Sequence, residues 1–525
     1  MCSLLALTLA SCKDEATTTT TGGKAKSASI NSLPQVERLG KGDIDLSLTL
    51  AKNSEVFLVF TNGTANDLTS VPTVNGKTIG SDFPALAKPD EPRMGRFVPE
   101  EITRFNNHPL LVPETANYKT SLVPTQPQMA AVGDSQTFYE DLSGTTVTAT
   151  LIEQRTASGL TLNVWVASDA YTGCSLTYCM SAAMVTAYAD MFLSSTGTND
   201  IYNLVTNVYG APWGSHSFSN LMASTAATTI DILFLDIGSD DANGNILGYF
   251  WSKDNYLATS LAGSNERLMF YIDSVYSAAY DGTSWEITDT YPSEMVGTLA
   301  HEFQHMVYFY QKSVKSLPLD DTTHLNEMLS MTTEDLLTNN LEINGPYSYL
   351  SAITYGTNYS LVDWYGITVN YGLNLSFGGY VMRNFGGPQL LRKIQHSGQG
   401  DYGAITKAVN ELGYSHDSGQ KWDIDDLLAG WAAANLLASE EDAPQGYRLN
   451  KGKDYSYTLD GIAYSVPSLY LSYHQNLMTY SEKANNKLTT VNNMSNRIVS
   501  LGTLKGNQTI TITQPGSMSA TLVVR

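Results

Sequence analysis

The chain has 525 residues, 42% of them hydrophobic and 15% charged, and a formal net charge of -21. This composition excludes a disordered or fibrous chain, and the length points to about two to four domains with a sizeable core. The acidic balance excludes nucleic acid as a main partner, because a phosphate backbone is gripped by clustered Lys and Arg.

A short apolar run, residues 3–9, leads into Leu9-Ala10-Ser11-Cys12. Small residues before a cleavage point are what a signal peptidase requires, and the stretch resembles a bacterial lipobox with Cys12 as the lipidated residue. No Lys or Arg precedes the run, so an upstream start is open. Beyond Cys12, a Thr-rich segment with Gly22-Gly23 reads as a flexible tether, giving a signal and tether over 1–33. The expected partners are a protein or peptide substrate and, through a lipid anchor, a membrane. The expected place is the bacterial cell envelope or surface, or otherwise the medium.

Ile44, Leu46, Leu48 and Leu50 alternate with polar residues, and residues 56–60 then form a continuous apolar run. This reads as two strands of a small β domain over 34–88. A Pro-rich connector follows over 89–132. Two β-branched segments, residues 145–152 and 160–166, meet at a Ser-Gly turn and predict a hairpin. Residues 180–209 are helical in pattern, residues 230–237 and 267–273 predict strands, and residues 293–312 predict a helix. Helical patterning fills residues 327–437, and strands return from about Tyr447, ending in residues 509–513 and 520–524. The expected fold class is α+β: a domain over 133–445, with a mixed-sheet lobe (133–290), a helical lobe (291–445) and one cleft between them, then a separate C-terminal β domain over 446–525.

The chemistry concentrates at His301-Glu302-Phe303-Gln304-His305, an H-E-x-x-H pattern. Val296, Leu299, Ala300, Phe303, Met306, Val307 and Tyr310 recur at helical spacing and form one apolar stripe. At about 100° per residue, His301 and His305 fall opposite that stripe and Glu302 at its edge. Such a helix offers two imidazoles, one turn apart, to a single metal ion. Catalytic zinc takes three protein ligands and leaves a position for water. Glu327, 22 residues after His305, is the candidate third ligand, and Glu334 and Asp335 are rival carboxylates further along. Glu302, beside the ligands, is the candidate base that takes a proton from water and passes it to a leaving amine.

Leu325-Asn326-Glu327-Met328-Leu329-Ser330 resembles the Asn-Glu-containing helix that carries the third zinc ligand of gluzincins, the thermolysin-like peptidases. The stretch from Tyr371 through Phe377, Met382 and Phe385 to Gly386-Gly387-Pro388 resembles the gluzincin helix that opens on a catalytic Tyr. That resemblance makes Tyr371 the candidate oxyanion donor, with Tyr380 as the alternative. The order Trp213-Gly214, Leu235-Asp236, Gly248-Tyr249-Phe250, Ser264-Asn265-Glu266, Phe270-Tyr271, Asp273 and Thr298 to His305 is similar to the hyicolysin family of bacterial metallopeptidases over roughly 133–439. The resemblance implies a secreted endopeptidase using one zinc. One departure stands out: thermolysin-like gluzincins carry Asp four residues after the third ligand to orient a His, and here that position is Met331.

Other residues are weaker candidates. Cys174 and Cys179 could close a small disulfide loop in an oxidising compartment. Asp240, Asp241, Asn243 and Asn245 could bind calcium, but a plain Asx-Gly turn accounts for them better. His216 is placed near the cleft or in a surface loop, and His324 lies three residues before Glu327. His108 or a nearby carboxylate could cap the zinc if residues before Gly133 were an inhibitory pro-segment. The competing function is a surface lipoprotein that binds protein partners on a peptidase fold without turnover. The intact set of His301, Glu302, His305 and Glu327 argues against it.

Overall fold

The computed structural model describes residues 23–79, 98–107, 130–316, 322–338, 360–364, 368–469 and 490–525, apart from positions 141, 143, 197, 198, 245 and 417. Cys12, His108 and Asn245 lie outside the described residues. In chain order the N-terminal part supplies β1 (Lys24–Ile30), β2 (Gln35–Lys41), β3 (Ile44–Asn62), β4 (Thr73–Val74), β5 (Lys77–Thr78) and α1 (Glu100–Asn107). The middle supplies β6 (Ser135–Glu140), β7 (Thr145–Ala157), β8 (Leu160–Ala167), α2 (Ala182–Phe192), α3 (Ile201–Tyr209), β9 (Thr229–Leu235), β10 (Gly248–Tyr249), β11 (Met269–Asp273), α4 (Ser274–Ala278), α5 (Thr290–Tyr308) and α6 (Thr323–Thr338). Then come α7 (Thr368–Asn384), α8 (Pro388–Gln395), α9 (Gly403–Glu411), α10 (Ile424–Leu436), β12 (Tyr455–Leu459), β13 (Ile462–Val466), β14 (Ser495–Thr513) and β15 (Ser519–Val524). The architecture is α+β. Among the described residues no helix is long and apolar enough to cross a membrane.

The two ends of the chain form one sheet rather than two modules. Its order is β2-β15-β3-β14-β4-β5, with β1 parallel to β3. β3 pairs with β14 along nearly its whole length and with β15 along its C-terminal half. The pattern expected as two strands is a single 19-residue strand. Its first half alternates because one face is solvated: Ile44, Leu46, Leu48 and Leu50 are buried while Asp45, Ser47 and Thr49 are exposed. Its second half is continuous because both faces are covered. Val56, Leu58 and Phe60 enter the sheet's own core, and Phe57 and Val59 enter the core of the rest of the molecule. α10 packs on that second face. Asp425 accepts from the Gly63 N–H at 2.9 Å, and Asn496 Nδ2 donates to the Leu428 carbonyl at 2.8 Å, fixing the sheet to that helix.

The second sheet has the order β10-β11-β9-β8-β7-β6. β7 and β8 form the expected hairpin, turning at Ser158 and Gly159 with φ of 53° and 76°. β8, β9 and β11 run parallel, with α2 and α3 in the crossover, and the short β10 lies antiparallel at the edge. α5 packs against β11 and β10. Gly248 permits this approach: a Cβ there would lie 2.8 Å from Thr298 Cγ2 and 2.9 Å from the Tyr271 carbonyl. The hairpin β12–β13 belongs with the helices, not with the terminal sheet. It contacts α8 and α6, and the Tyr457 hydroxyl reaches the Met382 carbonyl at 3.2 Å.

Candidate metal centre

α5 and α6 pack against each other and build the centre between them. His301 and His305 lie one turn apart on α5 with their Nε2 atoms 3.0 Å apart. Glu327, in the second turn of α6, places Oε2 at 3.3 Å from His301 Nε2 and 3.7 Å from His305 Nε2. All three side chains are buried. Among the described residues this is the one group of three or more His, Cys, Asp and Glu whose donor atoms could share an ion.

The proton positions sharpen the reading. His301 Nδ1 lies 2.6 Å from Glu334 Oε1, an acceptor, so Nδ1 carries the proton and Nε2 the lone pair. His305 Nδ1 lies 2.9 Å from Asn326 Oδ1 and 3.1 Å from Ser330 Oγ. The Ser330 hydroxyl donates in turn to Gln304 Oε1, so it accepts from His305. Two Nε2 lone pairs and a carboxylate oxygen therefore converge in a buried space, an arrangement that repels itself unless a cation sits within it. Ligands about 2.0–2.2 Å from a tetrahedral zinc lie roughly 3.3–3.5 Å apart. The three donor separations, 3.0, 3.3 and 3.7 Å, bracket that spacing. The surrounding carboxylates favour any positive charge at the centre, so a proton on Nε2 competes with an ion for the same lone pair. Burial pushes the His301 imidazole down, but Glu327 and Glu334 outweigh it and raise the group to about 9. Burial pushes Glu327 up, but His305 and His301 hold it at about 2. The cage carries an excess of negative charge.

The rival carboxylates have separate tasks. Glu334 holds His301, and Asp335 is paired with Arg383 of α7, Oδ1 to Nη2 at 2.9 Å, with both side chains fully buried. With Met331 four residues after Glu327, the carboxylate that meets His301 is Glu334. It lies two turns beyond Glu327 on the same helix face. Asn326 and Ser330 are functional contacts that reading the sequence did not assign. Asn326, Ser330 and Glu334 recur every fourth residue on α6, and that spacing was the available signal.

Glu302 lines the cavity beside the centre together with His305, Asn326, Glu327, Phe250 and Thr323. The other wall comes from Val98, Thr103, Asn106 and Asn107, on and before α1. Tyr371 is not brought to this cavity: its ring packs edge-on against Trp364 at 4.9 Å, on the first turn of α7. Tyr380 is no substitute, since it is fully buried and its hydroxyl donates to the Gly446 carbonyl at 2.8 Å. His324 packs edge-on against Tyr402 at 4.7 Å, and burial lowers it to about 4. His216 binds the Met222 carbonyl through Nε2 at 2.8 Å, beside Trp213.

Cys174 and Cys179 form a disulfide. Thr177, inside its loop, donates through its N–H and its hydroxyl to Asp241 at 2.9 and 2.7 Å. Asp236 Oδ1 accepts from the Asp240 and Asp241 N–H groups at 3.2 and 3.0 Å. Of the residues weighed for calcium, Asp241 thus serves the disulfide loop, and the neighbouring Asp236 caps the backbone of Asp240 and Asp241.

Residues 143–502 match the family model of peptidase M30. The chain belongs to the peptidase M30 family. The motif order that resembles hyicolysin is thereby accounted for, and the matched region runs past the expected end at 439 through the β12–β13 hairpin into β14. Over 190 residues the chain is 27% identical to the neutral metalloprotease ShpI of Staphylococcus hyicus, covering 35% of this chain and 41% of that protein. The chain thus spans less than half the length of that relative.

Proposed function

We propose that this protein is a zinc-dependent endopeptidase of the gluzincin type, with His301, His305 and Glu327 as ligands and Glu302 as general base. The observation that carries the reading is the convergence of two Nε2 lone pairs and a buried carboxylate beside Glu302. Family membership supports it. Bound zinc would supply a Lewis acid that polarises a scissile carbonyl and acidifies water. Glu302 takes a proton from water in the cavity and delivers it to the leaving nitrogen. Glu334, Asn326 and Ser330 fix both imidazoles with Nε2 facing inward, so the donors need no rearrangement when the ion binds. Tyr371 is given no step in this scheme, because it is not among the residues that line the cavity beside Glu302. The lipobox-like Cys12 and the Cys174–Cys179 disulfide favour an anchored or secreted enzyme acting on extracellular protein.

The test is zinc content and casein cleavage for wild type beside Glu302→Gln. About one zinc per chain in both, with cleavage lost at least about a thousandfold in the variant, is the expected outcome. Zinc in both without cleavage by either would leave a narrow specificity, a latent form or the binding-protein reading, and zinc in neither would remove the metal assignment and make the binding-protein reading the leading one.

A further inference from the structure

The cavity beside Glu302 is about 10 Å³, on the order of one water molecule and far short of a peptide. What closes it is α1. Ile102 is fully buried in the main core, and Asn107 Nδ2 donates to Thr323 Oγ1 at 2.6 Å, at the start of the helix that carries Glu327. Phe105 lies edge-on to Trp251 at 6.3 Å and to Tyr256 at 5.8 Å. α1 therefore bridges the edge of the second sheet and α6, one on each side of the cleft.

The contact at the sheet edge has a particular form. Asn106 Nδ2 donates to the Phe250 carbonyl at 2.7 Å, and Asn106 Oδ1 accepts from the Ser252 N–H at 2.8 Å. These two main-chain groups directly follow β10, the edge strand, and flank residue 251. One carbonyl and the N–H two residues on are the pair that an added parallel strand would engage. The Asn106 carboxamide, itself a peptide-like group, occupies them.

We propose that α1 is a built-in inhibitor. In this reading Asn106 holds the main-chain positions, and Phe105 the aromatic slot between Trp251 and Tyr256, that a bound peptide takes once α1 is displaced. The substrates admitted are then extended segments carrying a large apolar or aromatic side chain. The inference rests on the peptidase reading for its consequence, but not for its geometry. Loss of the Asn106 bonds shifts the closed–open balance toward the open form, which raises apparent affinity by the gain in competent fraction.

The full chain is compared with Asn106→Ala and, should that variant fold poorly by melting and zinc content, with Asn106→Asp. Two readouts are taken. The first is kcat/KM on an internally quenched peptide carrying a central Phe. The second, made in the Glu302→Gln background, is the Kd of a short fluorescein-labelled casein peptide by anisotropy. Both are expected to improve about tenfold, the scale of one lost hydrogen-bond pair. A merely structural role for α1 would lower them. Tighter peptide binding with no cleavage by any form would keep α1 as the block and remove the peptidase reading. Cleavage by wild type with neither readout improved in a folded variant would overturn the block and leave the peptidase intact.

Discussion

At the scale of single residues, the candidate metal centre depends on the side chains that hold its two imidazoles. H-E-x-x-H on an amphipathic helix fixes where two imidazoles point, because the geometry is local. Choosing between Glu334 and Asp335 is not local. The two are adjacent, about 100° apart around α6, and the choice is made by Arg383, 48 residues later, which claims Asp335. Glu334 then meets His301 at 2.6 Å. Replacing Glu334 with Gln removes the charged acceptor while keeping the shape. The expected outcome is zinc bound about 10–100-fold more weakly, with folding intact, as is usual when an imidazole loses its orienting carboxylate. Competition with a chromogenic chelator measures this. Unchanged affinity would mean that His301 is held by packing alone. The tyrosines show the converse limit. Tyr371 and Tyr380 matched a helix pattern, yet ring placement depends on Trp364 and the Gly446 carbonyl, which no helical period encodes.

At the scale of elements, the position of Glu327 depends on how closely α6 meets α7. α7 is apolar around most of its circumference and buried from Asn370 to Asn384, so its sequence gives no preferred face. Its point of approach is Gly378, where a Cβ would fall 2.0 Å from Thr332 Oγ1 and 3.1 Å from Met328 Cγ. Met328 is the neighbour of Glu327, so a methyl at 378 pushes directly on the ligand-bearing turn. Gly378→Ala is expected to destabilise the protein by about 1–3 kcal/mol, the range for overpacking a filled core, and to weaken zinc binding at the same time. Adding Thr332→Ala, which removes the clashing atom, should recover most of both losses. Denaturant melts and zinc titration on the double-mutant cycle decide it. If the second substitution restores nothing, Gly378 matters for its own backbone and not for the approach of the helices.

At the scale of the whole molecule, the sequence displays strands but not their partners. Residues 44–62 and 495–524 each look like part of a small β unit, and nothing local says that segments over 430 residues apart are neighbours. Pairing of β3 with β14 and β15 makes the N-terminal segment a central part of the fold. This bears on maturation. Excising everything before Gly133 would remove β3 and uncover Ile498, Val523 and the face of α10. A chain ended at Gln514 disrupts the same sheet from its other end. It lacks β15, whose Leu522, Val523 and Val524 are fully buried, at about 1.5–3 kcal/mol for each such side chain. Their sum rivals the ~5–15 kcal/mol by which a whole domain is stable. The expected result is loss of the cooperative melt of the terminal sheet and fast amide exchange along β3. An unchanged melt would show that the sheet does not depend on its last strand. For the same reason, intact-mass analysis of active, processed enzyme is expected to find residues 44–62 still present. An active form beginning near Gly133 would mean that the catalytic lobes hold together without the sheet that both ends of the chain build.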